Sequence, residues 1–180
     1  MKRLIYLLPL GLAEPAVLEE IKNGVSLAFS CSVQALEVFA NPSYAYDERR
    51  QQYFSSKILD QLTKQIPDDG LKILGITNAD LATPVLTFVF GEAQLNGTAA
   101  VISIKRLKQE FYQLFANQSI LLHRAVKEAV HELGHTFGLL HCDDSQCVMH
   151  FSSTITGIDN KELNFCSACL SVLQNNCRDL

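Results

Sequence analysis

The chain's chemistry is concentrated in one short stretch, His131-Glu132-Leu133-Gly134-His135-Thr136-Phe137-Gly138-Leu139-Leu140-His141. If the stretch begins on a helix, His131 and His135 share one face about one turn apart. Their imidazoles can then bite a single cation. Gly138 suits the left-handed position that closes a helix, and the reversal can return His141 as a third nitrogen ligand. Three nitrogens on a tetrahedral zinc leave one position for water, whose pKa zinc lowers to about 7. Glu132 adjoins His131 and can take that proton, then deliver it to a leaving amine. The chemistry implied is metal-assisted acyl hydrolysis, above all of peptide bonds. Five specified residues match by chance at about 10⁻⁷ per start position at average composition, so the pattern is informative by itself.

Four cysteines follow: Cys142 and Cys147 spaced C-x4-C, and Cys166 and Cys169 spaced C-x2-C. Two such pairs around a loop suit a structural zinc with four thiolate ligands. Two disulfides or free thiols are the alternatives. His141 and Cys142 are neighbours, and in extended chain neighbours point to opposite sides. One can therefore serve the catalytic ion and the next a structural ion, which would pin the segment that delivers His141. Cys177 could compete for this second site, although the C-x2-C spacing favours Cys166 and Cys169. Cys31 reads as a small buried apolar residue.

The motif needs a scaffold. A long helix is expected from about Ser119 to Phe137, with Leu122, Val126, Ala129, Val130, Leu133 and Phe137 at helical spacing. Upstream, strand-like and helix-like stretches alternate. Arg3–Leu8 reads as a strand, Pro15–Phe29 as a helix, Ser32–Phe39 as a strand and Glu48–Ile66 as a helix. Leu71–Ile76, Val85–Phe90 and Thr98–Ile104 follow as strands. A turn at Asn96-Gly97 makes the last two an antiparallel pair. After Gly138 the chain is irregular until a short helix near Ser167–Gln174. This is an α/β pattern with a mostly parallel sheet of about five strands. Residues 1–180 read as one domain: sheet and helices over 1–138, and a zinc-stapled C-terminal subdomain over 139–180.

Bulk properties narrow the partners. A net charge of −4 with no basic run excludes nucleic acid as a first choice. No apolar stretch is long enough to span a bilayer. Lys2 and Arg3 before an apolar run superficially resemble a signal peptide, but a buried first strand is the better reading. A four-thiolate zinc is easiest to keep in a reducing compartment, so a cytoplasmic location and a monomer are expected. His123 reads as a surface residue and His150 as a loop hydrogen-bonder. Tyr44 and Tyr46 could line a groove.

The histidine motif resembles that of the metzincin metallopeptidases, HExxHxxGxxH followed by a Met-turn. With Cys142, Cys147, Cys166, Cys169 and Met149, it is similar to the archaemetzincin branch in particular. The resemblance is specific from His131 to Cys169. It implies a twisted sheet with one antiparallel edge strand and two zinc ions per chain. His131, His135 and His141 would hold the catalytic zinc, with Glu132 as base. Cys142, Cys147, Cys166 and Cys169 would hold the structural zinc, and Met149 would form a hydrophobic floor under the histidines. The edge strand, read as Val85–Phe90, would border the cleft and could pair with an extended peptide. Some metzincins carry a tyrosine two residues after the Met; here Phe151 has no hydroxyl.

A zinc-dependent peptidase acting on peptides or proteins is the reading these residues support. The alternatives are a weak or inactive zinc-containing peptide binder and a hydrolase of non-peptide amides. An aminopeptidase would need an acidic group for the substrate amine, for which Glu92 and Asp143 are candidates.

Overall fold

The computed structural model describes residues 4–11 and 14–178. Lys2 and Arg3, and the side chain of Cys177, lie outside the described residues. The elements in order are β1 (Leu4–Leu10), α1 (Pro15–Phe29), β2 (Ser32–Ala35), β3 (Tyr46–Asp47), β4 (Gln52–Phe54), α2 (Ser55–Leu62), β5 (Gly70–Thr77), β6 (Leu81–Ala82), β7 (Gly91–Ala93), β8 (Ala99–Ser103), α3 (Gln118–Thr136), α4 (Ile155–Asn160) and α5 (Ser167–Arg178).

The main sheet runs β2-β1-β5-β8-β7. Its first four strands are parallel, and β7 is antiparallel to β8 at the edge. Every residue of β1 is buried, as expected of a strand covered on both faces. Ile5 and Leu7 pack with α1 and α3, whereas Leu4, Tyr6, Leu8 and Leu10 pack with α2. The result is a three-layer α/β/α sandwich, as expected from the alternating pattern. Pro9 does not end β1. Its carbonyl accepts from Phe39 N–H, so its missing donor faces the side where β2 has already stopped.

Two expectations are corrected. The antiparallel edge strand is Gly91–Ala93, not Val85–Phe90. Val85 is 90% exposed and Leu86 49%, so the first half of the β-rich run buries no face, while Phe88, Val89 and Phe90 turn inward against the core. Its carbonyls are also committed: Arg50 donates to the Thr83, Leu86 and Thr87 oxygens, and Gln52 also donates to Thr87. That segment is a side-chain-held rim, and its bound carbonyls are not available to a peptide. The expected helix Glu48–Ile66 begins only at Ser55. Residues 46–54 form a small hairpin, β3 to β4, which turns at Asp47–Arg50 and at Gln51 with positive φ. The helix also ends at Leu62 rather than Ile66; Ile58, Leu59 and Leu62 form its buried face.

Helix α3 carries the motif. Asn117 caps it by accepting from Ile120 N–H at 3.2 Å. At the other end Gly138 N–H reaches His135 O and Leu139 N–H reaches Gly134 O, with Gly138 at φ +85°. This Schellman pattern needs the left-handed glycine. Lys72 on β5 adds a cation at the same end, donating to Thr136 O at 2.8 Å and to Gly97 O at 2.7 Å. The Asn96-Gly97 turn docks there as well, through Asn96 N–H to His135 O. Helix end, hairpin turn and central strand are thus fastened together beside the histidines.

Candidate metal centre

His131 and His135 project from α3, and His141 arrives three residues after the Gly138 reversal. One ring nitrogen from each lies within 4.8 Å of the others. The Nε2 atoms of His131 and His135 are 3.2 Å apart. Two nitrogens about 2.05 Å from a tetrahedral zinc stand roughly 3.3 Å apart, so the pair fits that ion. Two of the remaining ring nitrogens are occupied: His131 Nδ1 donates to Val148 O at 2.8 Å, and His135 Nδ1 to Leu139 O at 2.7 Å. A proton fixed on Nδ1 leaves the Nε2 lone pair free and pointed at the common centre. Burial holds all three imidazoles below their ordinary pKa, His131 far below, so they favour the neutral, ligating form.

Glu132 lies in the same cavity, of about 540 Å³, whose lining includes the three histidines. Burial pushes its carboxyl well above the ordinary range. The charges of Glu128 and Glu92 act the same way, against the pull of Lys161. A divalent cation at the histidines would oppose that shift. Two glycines make room for these groups. A Cβ on Gly91 would stand 2.6 Å from Glu132 Cγ, and one on Gly134 would stand 2.5 Å from Met149 Sδ. Met149 is fully buried, with its sulfur against Gly134 of the histidine-bearing helix.

The four cysteines come together as well. One sulfur from each of Cys142, Cys147, Cys166 and Cys169 lies within 4.8 Å of the others. Cys142 Sγ and Cys166 Sγ are 3.7 Å apart, too far for a disulfide and close to the roughly 3.8 Å of two thiolates on one tetrahedral zinc. Backbone N–H groups point at the sulfurs: Cys166 N–H at Cys147 Sγ, 3.3 Å, and Cys169 N–H at Cys166 Sγ, 3.5 Å. The latter draws the Cys166 thiol down to about 7, while burial raises Cys142 and Cys169. Cys142 N–H bonds Met149 O, and His150 Nδ1 donates to Cys142 O at 2.8 Å. These bonds tie the cysteine loop to the residues beneath the histidines.

With this geometry in place, comparison with known proteins is decisive. The model of peptidase family M54 matches residues 32–175. An archaemetzincin of Methanocaldococcus jannaschii is 40% identical over 172 residues, covering 95% of this chain and 93% of that one. The chain belongs to the archaemetzincins, peptidase family M54. It is therefore a zinc metallopeptidase. The crystal structure of an archaemetzincin from Methanopyrus kandleri superposes with a TM-score of 0.85 at 36% identity, covering 98% of this chain and 96% of that one. A zinc-dependent peptidase from Methanocorpusculum labreanum superposes with a TM-score of 0.86 at 32% identity, covering 94% and 99%.

Within this archaemetzincin scaffold the weaker candidates sort themselves. Glu92 lines the cavity, whereas Asp143 is exposed outside it. His123 is exposed on α3, and Tyr44 and Tyr46 are exposed away from the cavity lining. Cys31 packs against the core and is not part of the thiol cluster. Phe151 is half-exposed at the rim, its ring 5.0 Å from that of His141. Among the cavity-lining residues, Gly91, Glu128, Ser152 and Lys161 were not singled out from sequence. Gly91 could have been found by counting back from the Asn96-Gly97 turn, because hairpin register pairs Ala93 with Ala100. Glu128 lies one turn before His131, which is a readable spacing. Nothing local marks Lys161 or Ser152. No helix among the described residues is long and apolar enough to cross a membrane.

Proposed function

We propose that this chain hydrolyses peptide bonds with Glu132 as general base, at a zinc held by His131, His135 and His141. A second zinc on Cys142, Cys147, Cys166 and Cys169 fixes the segment bearing His141. The observation that carries the reading is the convergence of three imidazoles, with the outer nitrogens of His131 and His135 engaged and a buried carboxylate on the same helix face. Zinc bound there would lower the pKa of a water to about 7 and polarise a scissile carbonyl. Glu132, buried on the same helix face, would take the proton from that water and deliver it to the leaving amine. The edge strand β7 borders the cavity and offers a backbone to which an extended peptide can pair.

The histidine and cysteine sites are each complete within one chain, which supports a monomer of a single domain, with 139–180 as its zinc-stapled subdomain. Four thiols at one site favour a reducing, cytoplasmic compartment. The second reading, a weak or inactive peptide binder, is favoured by one observation: Phe151 at the rim has no hydroxyl for a developing oxyanion. The deciding experiment is a peptide-library digest with wild type and Glu132→Ala, both analysed for metal. Glu132→Ala should keep both zinc ions and lose activity by about 10³-fold or more. Equal cleavage by the variant overturns the assigned base. Saturable peptide binding by the zinc-loaded wild type, without any cleavage, establishes the second reading.

A further inference from the structure

The face of α3 that looks into the cavity is longer than the histidine motif. Glu128, His131, Glu132 and His135 stand at i, i+3, i+4 and i+7, and all four line the cavity. Glu128 is 96% buried, with its relative exposure at 4%. A glutamate three residues before a metal-binding histidine is a spacing that brings both side chains to metal in the di-metal helical bundles. By spacing, Glu128 is thus a potential fourth ligand. A fourth protein ligand would close the sphere and leave no position for water, as in structural zinc sites.

The structure shows what engages Glu128 instead. Lys161 Nζ donates to Glu128 Oε1 at 3.0 Å, and the two side chains are 1% and 5% exposed. Lys161 is among the most completely buried large side chains described, and it too lines the cavity. Burying both ions strips them of water at a cost that only close pairing recovers. Docking α4 on α3 does not require that cost. Arg124 already grips Asp159 with two hydrogen bonds, at 2.7 and 2.6 Å, and Lys127 Nζ donates to Ile158 O and Asp159 O. The buried pair therefore calls for a reason other than attachment. Lys161 also approaches His150 O at 3.5 Å, next to the Met149 floor, so its ammonium is held between α3 and the Met-turn.

We propose that Lys161 holds the Glu128 carboxylate off the catalytic metal and so preserves the open coordination position. Lys161 is a positioning residue, acting through Glu128. The inference rests on the reading that His131, His135 and His141 bind zinc. Without Lys161, an unpaired buried carboxylate beside a divalent cation would move to it.

The test compares zinc-loaded wild type, Lys161→Met, Lys161→Arg and the double variant Lys161→Met/Glu128→Gln. Each is examined by crystallography, by the rate of zinc loss to a chelator, and by peptide hydrolysis. Lys161→Met should place Glu128 on the zinc, slow zinc loss from the histidines by about tenfold, and cut hydrolysis by about a hundredfold. The double variant should return zinc loss to the wild-type rate and restore most of the hydrolysis. Lys161→Arg should behave as wild type, because it keeps the charge. A merely structural lysine would speed zinc loss when removed, and Glu128→Gln would not reverse it. Lys161→Met with Glu128 still off the metal and wild-type zinc loss overturns the proposal, as does a double variant no better than the single. Should Lys161→Met not fold, Lys161→Gln, which removes the charge but leaves a polar group in the buried site, decides on the same measurements: slowed zinc loss supports, an unchanged rate overturns. Wild type lacking zinc at the histidines overturns both this inference and the reading beneath it. Wild type with zinc there but no response in the variants overturns this inference alone.

Discussion

Gly91 faces Glu132 across the cleft with no room for a side chain, which makes Gly91→Ala a sharp probe of the base. The added Cβ would stand 2.6 Å from Glu132 Cγ, 2.8 Å from Glu132 Oε1 and 2.8 Å from Val101 O. Carbon atoms in contact rest about 3.5–4.0 Å apart, so Glu132 must retreat by about 1 Å. The Val101 carbonyl belongs to β8 and can yield only if β7 and β8 spread. A misplacement of about 1 Å at a reacting group costs about 10²-fold in rate, or about 2.7 kcal/mol of barrier. Overpacking should also cost about 1–3 kcal/mol of stability, lowering Tm by about 3–10 °C. The assay is kcat/KM on a peptide cleaved by wild type, with zinc content and a calorimetric scan on the same samples. Zinc content should not change, since the histidines are untouched. Gly24→Ala is the control. Its Cβ would press on Val126 Cγ1 where α1 packs on α3, so Tm should fall without a selective loss of rate. If Gly91→Ala keeps kcat/KM within about threefold of wild type, Glu132 is not the positioned base described here.

Two further predictions concern the metals and protons. Cys166→Ser should reduce zinc from two to one per chain, lower Tm, and speed loss of the histidine-bound zinc, because Cys142 adjoins His141; metal analysis with chelator kinetics checks it, and two retained zinc ions would contradict it. In metal-depleted protein, burial lowers the pKa of His131, His135 and His141, whereas unfolded imidazoles titrate near pH 6.5. The unfolded state therefore binds more protons as pH falls. Stability contributed by these groups is complete above about pH 6.5 and is lost below it, as urea titrations between about pH 5 and 8 should show; stability rising toward acid pH would contradict it.

The site was legible where its chemistry is local. His131, Glu132, His135 and Gly138 announce themselves because one helix turn and one left-handed residue set their geometry, and α3 ends as Gly138 requires. The cysteine pairs were legible for the same reason. The scaffold's alternation also came through, since buried parallel strands such as Leu4–Leu10 carry apolar residues on both faces. The edge strand was misplaced because β propensity at Val85–Phe90 was read without knowing that Arg50 and Gln52 take its carbonyls. Those partners lie more than thirty residues away, as does Lys161 from Glu128. A side chain paired across such separations leaves no periodic trace in sequence, so Lys161 became visible only in the fold.

The most direct measurement is anomalous diffraction at the zinc edge from crystals of the purified chain. Two peaks are predicted: one within bonding distance of a nitrogen from each of His131, His135 and His141 with no other protein ligand, the other among the sulfurs of Cys142, Cys147, Cys166 and Cys169. A fully occupied thiol site with no density among the three imidazoles, or an ion there bound by a fourth side chain, would contradict the account.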